Sequence, residues 1–400
     1  MTSPEASASA EEAMRRSGVW RGLAVGSLRL ASVFYGLGAR THRAWMRWTS
    51  ADRGRLACAV VSVGGLTVGG AGKTPVAARL ALGLRRRGWR VVLASRGYRG
   101  RDRSSVVVVS DGAHVHSSVA RSGDESFVLA AHAPGVPVLV GRDRRVVGHH
   151  AVSAFDAEIL VLDDGFQHHR LARDLDIVCI DGGSGLGSQR LLPAGPLREP
   201  VSTLRHADWL CIVDGERPEG VVAARKTIER ERDAEVVSAF ERSGGEMLRA
   251  RRRPVDLATL DADETRSLDA LRDQRVGLLA GIARPDSFRR TLQDLGARVV
   301  VERRFRDHHD YAPRDCAGLG DASILWVTTE KDALKILPEW LDGARLWVLR
   351  IEVAIDGEEG VLDRLEEKLR AAGRLPDRPG GKPEAEGEAS WPVLSADGRR

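Results

Sequence analysis

The stretch from Leu56 to Gly88 constrains the fold more than any other. The apolar run LACAVVSV leads into GGLTVGGAGKTP, and from Pro75 the segment PVAARLALGLRRRG repeats its apolar positions at helical spacing until Gly88 stops it. A buried strand, a glycine-rich turn and a helix therefore follow one another. That order aims backbone N–H groups and a helix N-terminus at one point, which is what a phosphate needs. Five of the nine residues from Gly64 to Gly72 are glycine, yet the strict spacing G-x-x-x-x-G-K-[ST] places glycine at position 67, where Thr67 stands. The turn is a variant P-loop or a glycine-rich turn with no ligand.

If it is a P-loop, Thr67, Val68, Gly69, Gly70, Ala71, Gly72, Lys73 and Thr74 form the cradle. Lys73, on an exposed loop, reaches the outer phosphates, and the Thr74 hydroxyl can ligate Mg²⁺. Such a site needs an acid at the end of a neighbouring strand. AEILVLDDGFQHH supplies Asp163 and Asp164 there, although two carboxylates ending a strand before Gly165 are also an ordinary turn. His168 and His169 follow without a third ligand at zinc spacing, so no zinc is assigned.

Further apolar runs (WRVVLAS, SVVVVS, VPVLVG, LDIVCID, DWLCIVD) alternate with helix-period segments, which predicts a mostly parallel sheet in an α/β domain. Residues 215 to 270 are poorer in such runs and richer in charge. A second series follows with RVGLLAGIA, ARVVVERRF, ILWVTTEKD and RLWVLRIEV. The expected organisation is a disordered start over 1–11, an N-terminal helix over 12–50, a P-loop domain over 51–230, a smaller second α/β domain over 231–372, and a disordered tail over 373–400. The four cysteines form no C-x-x-C pair and read as buried free thiols.

The segment after Glu12 is apolar and basic. Its longest uncharged run, Leu30 to Ala39, is 10 residues, about half of what spans a bilayer. Arg15, Arg16, Arg21, Arg29, Arg40, Arg43 and Arg47, with Trp20, Phe34, Tyr35, Trp45 and Trp48, suit a helix lying on an anionic membrane. A core helix with a solvated basic face would use the same residues. The net charge of +5 is compatible with phosphorylated or lipid partners.

The motifs VGGLTVGGAGKTP, SRGYRG, GDE, VLDDGFQHHRLARDLDIVCID, LLPAGPLREP, GIARPDSF, FRDHH and TTEKDALK occur in this order. Together they closely resemble the tetraacyldisaccharide 4'-kinase family of the lipid A pathway, whose own loop has the shifted glycine pattern. DDGFQHH followed by LPAGPLREP is the specific part. Gly65 stands where the family usually has Asn, and Ser188 departs from its Gly-Asn-Gly segment. The resemblance implies a P-loop kinase with a second α/β domain and a membrane-associated helix. It implies ATP and Mg²⁺ as cofactors, and transfer of the γ-phosphoryl group to the 4'-hydroxyl of a lipid disaccharide 1-phosphate. The implied place is peripheral, on the cytoplasmic face of the bacterial inner membrane, with no nucleic-acid or protein partner.

Carried over residue by residue, Asp124 resembles the family's catalytic base and His308 its partner histidine, with His309 as the competing choice. Asp124 alone would read as a helix cap. Glu199 resembles a further acidic residue near the metal, beside Thr74, Asp163 and Asp164. Arg198 is a candidate to neutralise the transferring phosphoryl group, and Arg96 and Arg144 are candidate phosphate clamps. The rival reading is a P-loop NTPase of the metallochaperone or switch type, which would need no acceptor base.

Overall fold

A computed structural model describes residues 27–28, 31–38, 41, 54–97, 100, 102, 104–214 and 233–377. The expected tail over 1–11, most of the helix expected over 12–50, the boundary near residue 230 and the end of the C-terminal tail lie outside them.

The strands in chain order are β1 (Ala59–Gly65), β2 (Val91–Ser95), β3 (Val107–Ser110), β4 (Val138–Val140), β5 (Ile159–Asp163), β6 (Leu175–Asp181), β7 (Trp209–Val213), β8 (Glu246–Thr259), β9 (Thr265–Arg266), β10 (Arg275–Ala280), β11 (Arg298–Arg304), β12 (Leu325–Thr329) and β13 (Leu346–Ile355). They form one sheet in the order β11-β10-β12-β13-β8-β7-β6-β1-β5-β2-β4-β3, with β9 paired to β8. The helices used below are α1 (Lys73–Arg86), α2 (Asp124–His132), α3 (Arg144–Phe155), α4 (Pro285–Asp294), α5 (Glu330–Ala333) and α6 (Glu358–Ala371).

All seven residues of β1 and of β6 are buried, because helices cover both faces. On one face Leu80, Leu84, Phe127 and Leu365 pack against Val61, Val63 and Ile177. On the other, Val147 and Ala151 of α3 pack against Val60, Leu160 and Leu162. Each such side chain contributes roughly 1.5–3 kcal/mol on burial. The mostly parallel α/β sheet expected from the sequence is present.

Two features differ from the sequence-based picture. Strand β8, EMLRARRRPVDLAT, falls in the charge-rich boundary segment but lies inside the sheet, parallel to β7 and antiparallel to β13. Its Pro254 sits where the β8–β13 register shifts, the kind of bulge that tolerates a missing N–H. RLWVLRIEV, as β13, runs parallel to β12 and so continues the second series, and it is antiparallel to β8 where the two series join. Helix α6 packs on α1 of the P-loop half, with Arg79 bonded to Glu358 at 2.8 Å and Leu362 beside Gly83. Packing continues past Gly373, since Leu375 is buried and Arg374 bonds the Leu56 carbonyl at 2.9 Å.

Candidate active site

The P-loop turn is shaped by close contacts. A Cβ on Gly64 would lie 2.4 Å from the Phe166 Cβ, so DDGFQHH presses against the turn and excludes a side chain. Gly72 caps α1 at φ 77°, where Val213 would also meet a Cβ. Gln167 donates from Nε2 to the Gly65 carbonyl at 2.9 Å. LPAGPLREP buttresses the other side: Val68 N–H donates to Pro196 O at 2.9 Å and Arg198 N–H to Leu66 O at 2.7 Å.

These contacts explain the missing glycine. Thr67 is buried and forms an antiparallel bridge with Leu197, so its backbone is extended and needs no glycine. Unlike Val68 to Thr74, Thr67 does not line the cleft, so its place is in the buttress behind the cradle. Lys73 also differs from expectation. Its side chain is only 10% exposed and its ammonium lies 3.4 Å from Asp164.

One continuous cleft runs from this turn to the second half of the sheet. It is lined by residues that include Gly69 to Thr74, Arg96, Arg144, Asp163, Asp164, Arg198, Glu199, His308 and Lys331. Thr74 Oγ1 donates to Asp163 Oδ2 at 3.0 Å, and Arg198 donates to Asp164 Oδ2 at 2.6 Å. Burial, with Glu125 and Asp164 nearby, pushes the Asp163 carboxyl up to about 7 against the pull of Lys73. Burial would also raise Asp164, but Lys73 and Arg198 outweigh it and hold that carboxyl low.

The donor set fits Mg²⁺. Asp163 Oδ1 is buried with no hydrogen-bond partner, beside the Thr74 hydroxyl, and both are hard oxygen donors. Among the described residues no cluster of three or more His, Cys, Asp or Glu side chains could hold a metal by itself. That suits an ion completed by phosphate oxygens and water. Glu199 lies in the same cleft, with His169 Nε2 at 3.4 Å from its carboxylate.

The phosphate-clamp candidates lie near each other in the same cleft, with Asp163 and Asp164 close to Arg144. Arg144 is 2% exposed, donates to Gly141 O at 2.8 Å, and leaves its Nε without a hydrogen-bond partner. Burial and the neighbouring Arg96 depress its guanidinium to about 10. Two guanidinium groups so close are poised for an anion. Burial and Arg144 likewise push His168 down to about 4, so it is neutral at pH 7.

From the opposite half comes His308, whose Nδ1 lies 2.9 Å from Asp124 Oδ2. Burial would raise the Asp124 carboxyl, but the bond to His308 and the charges of Lys331 and Lys335 hold it low. His309 instead points to Asp315 at 3.0 Å and stacks on Phe305, so of the two histidines it is His308 that meets Asp124. A second contact of His308 has no signal in the sequence: Lys331 Nζ lies 3.0 Å from its Nε2.

The family model for tetraacyldisaccharide-1-P 4'-kinase matches residues 25–370. The chain belongs to the tetraacyldisaccharide 4'-kinase family. A kinase of that name from Anaeromyxobacter sp. (strain Fw109-5) is 43% identical over 321 residues, covering 78% of this chain and 82% of the relative. One from Chromobacterium violaceum is 38% identical over 353 residues, covering 85% and 93%. Among solved structures, LpxK from Aquifex aeolicus in complex with ATP superposes with a TM-score of 0.68 at 27% identity, covering 86% of this chain and 99% of that one. The tetraacyldisaccharide 4'-kinase motifs quoted from the sequence are the segments that build the cleft: GGAGKT, DDGFQHH, LREP, GDE, FRDHH and TTEKD each contribute a residue to it or to its wall.

Proposed function

We infer that this cleft transfers the γ-phosphoryl group of ATP to the 4'-hydroxyl of a tetraacyldisaccharide 1-phosphate in lipid A biosynthesis. The observation that carries the reading is the Asp124–His308 pair, whose His308 lines the same cleft as the P-loop. A nucleotide switch needs the P-loop and the acid but no base assembled from the other half of the sheet.

Backbone N–H groups of Gly69, Gly70 and Gly72 and the Lys73 ammonium hold the phosphates of ATP, while Val68 N–H and Ala71 N–H bond Pro196 O and Gly69 O and shape the turn. Asp163, Thr74, Asp164 and Glu199 are the side chains to hold Mg²⁺, which neutralises phosphate charge. Arg198 spreads the charge of the transferring group. Arg96 and Arg144 clamp a phosphate in the cleft, and the Asp124–His308 pair takes the proton of the acceptor hydroxyl. Catalysis is then positioning and charge neutralisation. The division into a P-loop domain and a second α/β domain belongs to the same reading, each half supplying one member of the pair.

The acceptor is a lipid, and the helix at 31–38 supports docking on an anionic membrane surface. Val33, Phe34 and Leu37 are exposed, while Tyr35 lines the cleft and donates to Arg198 O at 3.2 Å. No helix among the described residues is long and apolar enough to cross a membrane. The reading is a peripheral protein at the cytoplasmic face of the inner membrane, where ATP is made. Incubating the protein with γ-labelled ATP and disaccharide 1-phosphate lipid, then separating products, tests it. Label on the lipid is expected, and label found only in inorganic phosphate would favour the switch.

A further inference from the structure

The segment TTEKDALK has no exposed residue, with Thr328, Asp332 and Leu334 buried, and its contacts converge on His308. Asp332 is fully buried; its Oδ2 accepts from Gly281 N–H at 2.9 Å and from Thr329 Oγ1 at 2.8 Å. Gly281 O in turn accepts from His308 N–H at 3.1 Å, fixing His308 in the left-handed region at φ 58°, an unfavourable conformation for a residue with a Cβ. Glu330 bonds the buried His132 at 2.9 Å, which ties α5 to the last residue of α2, the helix that begins with Asp124. The backbone of His308, its ring and the helix carrying Asp124 are thus all referenced to one short segment.

That segment aims Lys331 Nζ at His308 Nε2. An ammonium has donors and no acceptor, so it bonds only an unprotonated ring nitrogen. The proton of a neutral imidazole then sits on Nδ1, facing Asp124 Oδ2. We propose that Lys331 is a positioning residue that locks His308 as its neutral Nδ1–H tautomer, so that the acceptor's proton goes to Asp124 and not to His308. This rests on the reading of Asp124 as the base. In the step, the acceptor O–H bond breaks and its proton passes to the Asp124 carboxylate. The acceptor oxygen bonds Pγ, the bond from Pγ to the β,γ-bridging oxygen breaks, and ADP carries away that electron pair.

The charged groups around the ring come from three elements. Asp124 lies on α2; Lys331, Asp332 and Lys335 lie on or just beyond α5, with Lys335 3.8 Å from Asp124 and 3.5 Å from Asp332; Asp307, on the ring's own loop, lies 3.9 Å from Nε2 and 3.6 Å from Lys331. Removing Lys331 leaves Asp307 and Asp124 on both sides of the ring, and both favour the imidazolium. An imidazolium beside Asp124 would weaken it as a base at low pH.

The test compares full-length wild type, Lys331→Met and Lys331→Arg. Lys331 is partly exposed, so both variants are expected to fold, and melting temperatures check it. In Lys331→Met the acid limb of the kcat profile should move up by about one pH unit, and in Lys331→Arg it should return. Nitrogen-15 spectra of the histidine rings, with His308 assigned by its loss in His308→Gln, should show the neutral Nδ1–H form in wild type at pH 7 and the imidazolium at a higher pH in Lys331→Met. A uniform fall in kcat with an unmoved His308 titration, or a rise in KM alone, would overturn the lock. Full phosphoryl transfer by Asp124→Asn would instead overturn the base reading. A dead Asp124→Asn with an unmoved Lys331→Met profile refutes only the lock.

Discussion

Asp124 Oδ2 and His308 Nδ1 meet at 2.9 Å across 184 positions of sequence, one from each half of a continuous sheet. Gly123, not Asp124, occupies the N-cap of α2, and no side chain caps that helix. Asp124 is its first residue, with Oδ1 accepting only the adjacent Glu125 N–H at 3.0 Å. A capping role therefore does not account for a carboxylate held ionised in a buried position.

Replacing that carboxylate isolates its contribution. Asp124→Asn keeps the shape and can still bond His308, so the fold and the P-loop remain as they are. Phosphoryl transfer is expected to fall by about 10²–10⁴-fold, the usual worth of a positioned base, with ATP affinity unchanged. Equal loss of ATP binding, measured by calorimetry, would make Asp124 a nucleotide residue.

Lys73→Ala tests the cradle, and the burial of Lys73 changes what to expect. The lysine lies beside both Asp164 and Asp163 and opposes the upward push on the Asp163 carboxyl. Without it, Asp163 carries its proton further above pH 7 and binds a cation less well. Turnover should fall by at least about 10²-fold, and the rise in melting temperature given by Mg²⁺ with ATP should largely vanish. Retention of more than about a tenth of wild-type transfer would count against this site.

The P-loop half was legible because its signals are local: a doubly buried strand, glycines at a turn and a helical period all fall within Leu56 to Gly88. Strand β8 was not. Arg249, Arg251 and Arg252 line the cleft, so the strand shows charge where a buried one shows apolar residues. A proline inside a strand removes a ladder N–H, and the register shift against β13 is what accommodates Pro254. In the site, the resemblance pointed to Asp124 and His308. Lys331 and the His132–Glu330 pair had no local signature, because the latter spans 198 positions and exists only once the two halves meet.

The same pair makes stability depend on pH. Burial opposes charge on His132, but Glu330 and the nearby Glu352 outweigh it and raise its folded-state value above 6.5. A raised value means the stabilisation is fully present below about 6.5 and is lost as pH climbs through the folded-state value. His132→Gln should therefore lower the melting temperature most at pH 6, where it leaves a buried carboxylate unpaired at a cost of about 3–5 kcal/mol, and least at pH 9. Melting curves at both values check this, and a deficit independent of pH would show that the pair is not ionised.

The helix at 31–38 presents two faces with different tasks. Ser32 donates to Leu191 O at 2.9 Å, Gly36 lies against Leu191 and Tyr35 reaches Arg198, so one face forms part of the cleft wall. Val33, Phe34 and Leu37 are 59%, 66% and 51% exposed and touch the wall little. Deleting residues 1–49 would disturb both faces, whereas replacing Val33, Phe34 and Leu37 by Ser removes only the outer one. Half-burial of three such side chains in a bilayer interface contributes about 3 kcal/mol, so binding to anionic vesicles should weaken roughly a hundredfold. The residual binding should remain salt-sensitive, because Arg21, Arg29, Arg40, Arg43 and Arg47 are untouched and each contributes about 1 kcal/mol near an anionic surface. Transfer to vesicle-embedded acceptor should fall with the binding, while basal ATP hydrolysis stays near wild type because the cradle is unchanged. A triple variant that binds vesicles as tightly as the parent would mean that the lipid reaches the cleft across another surface.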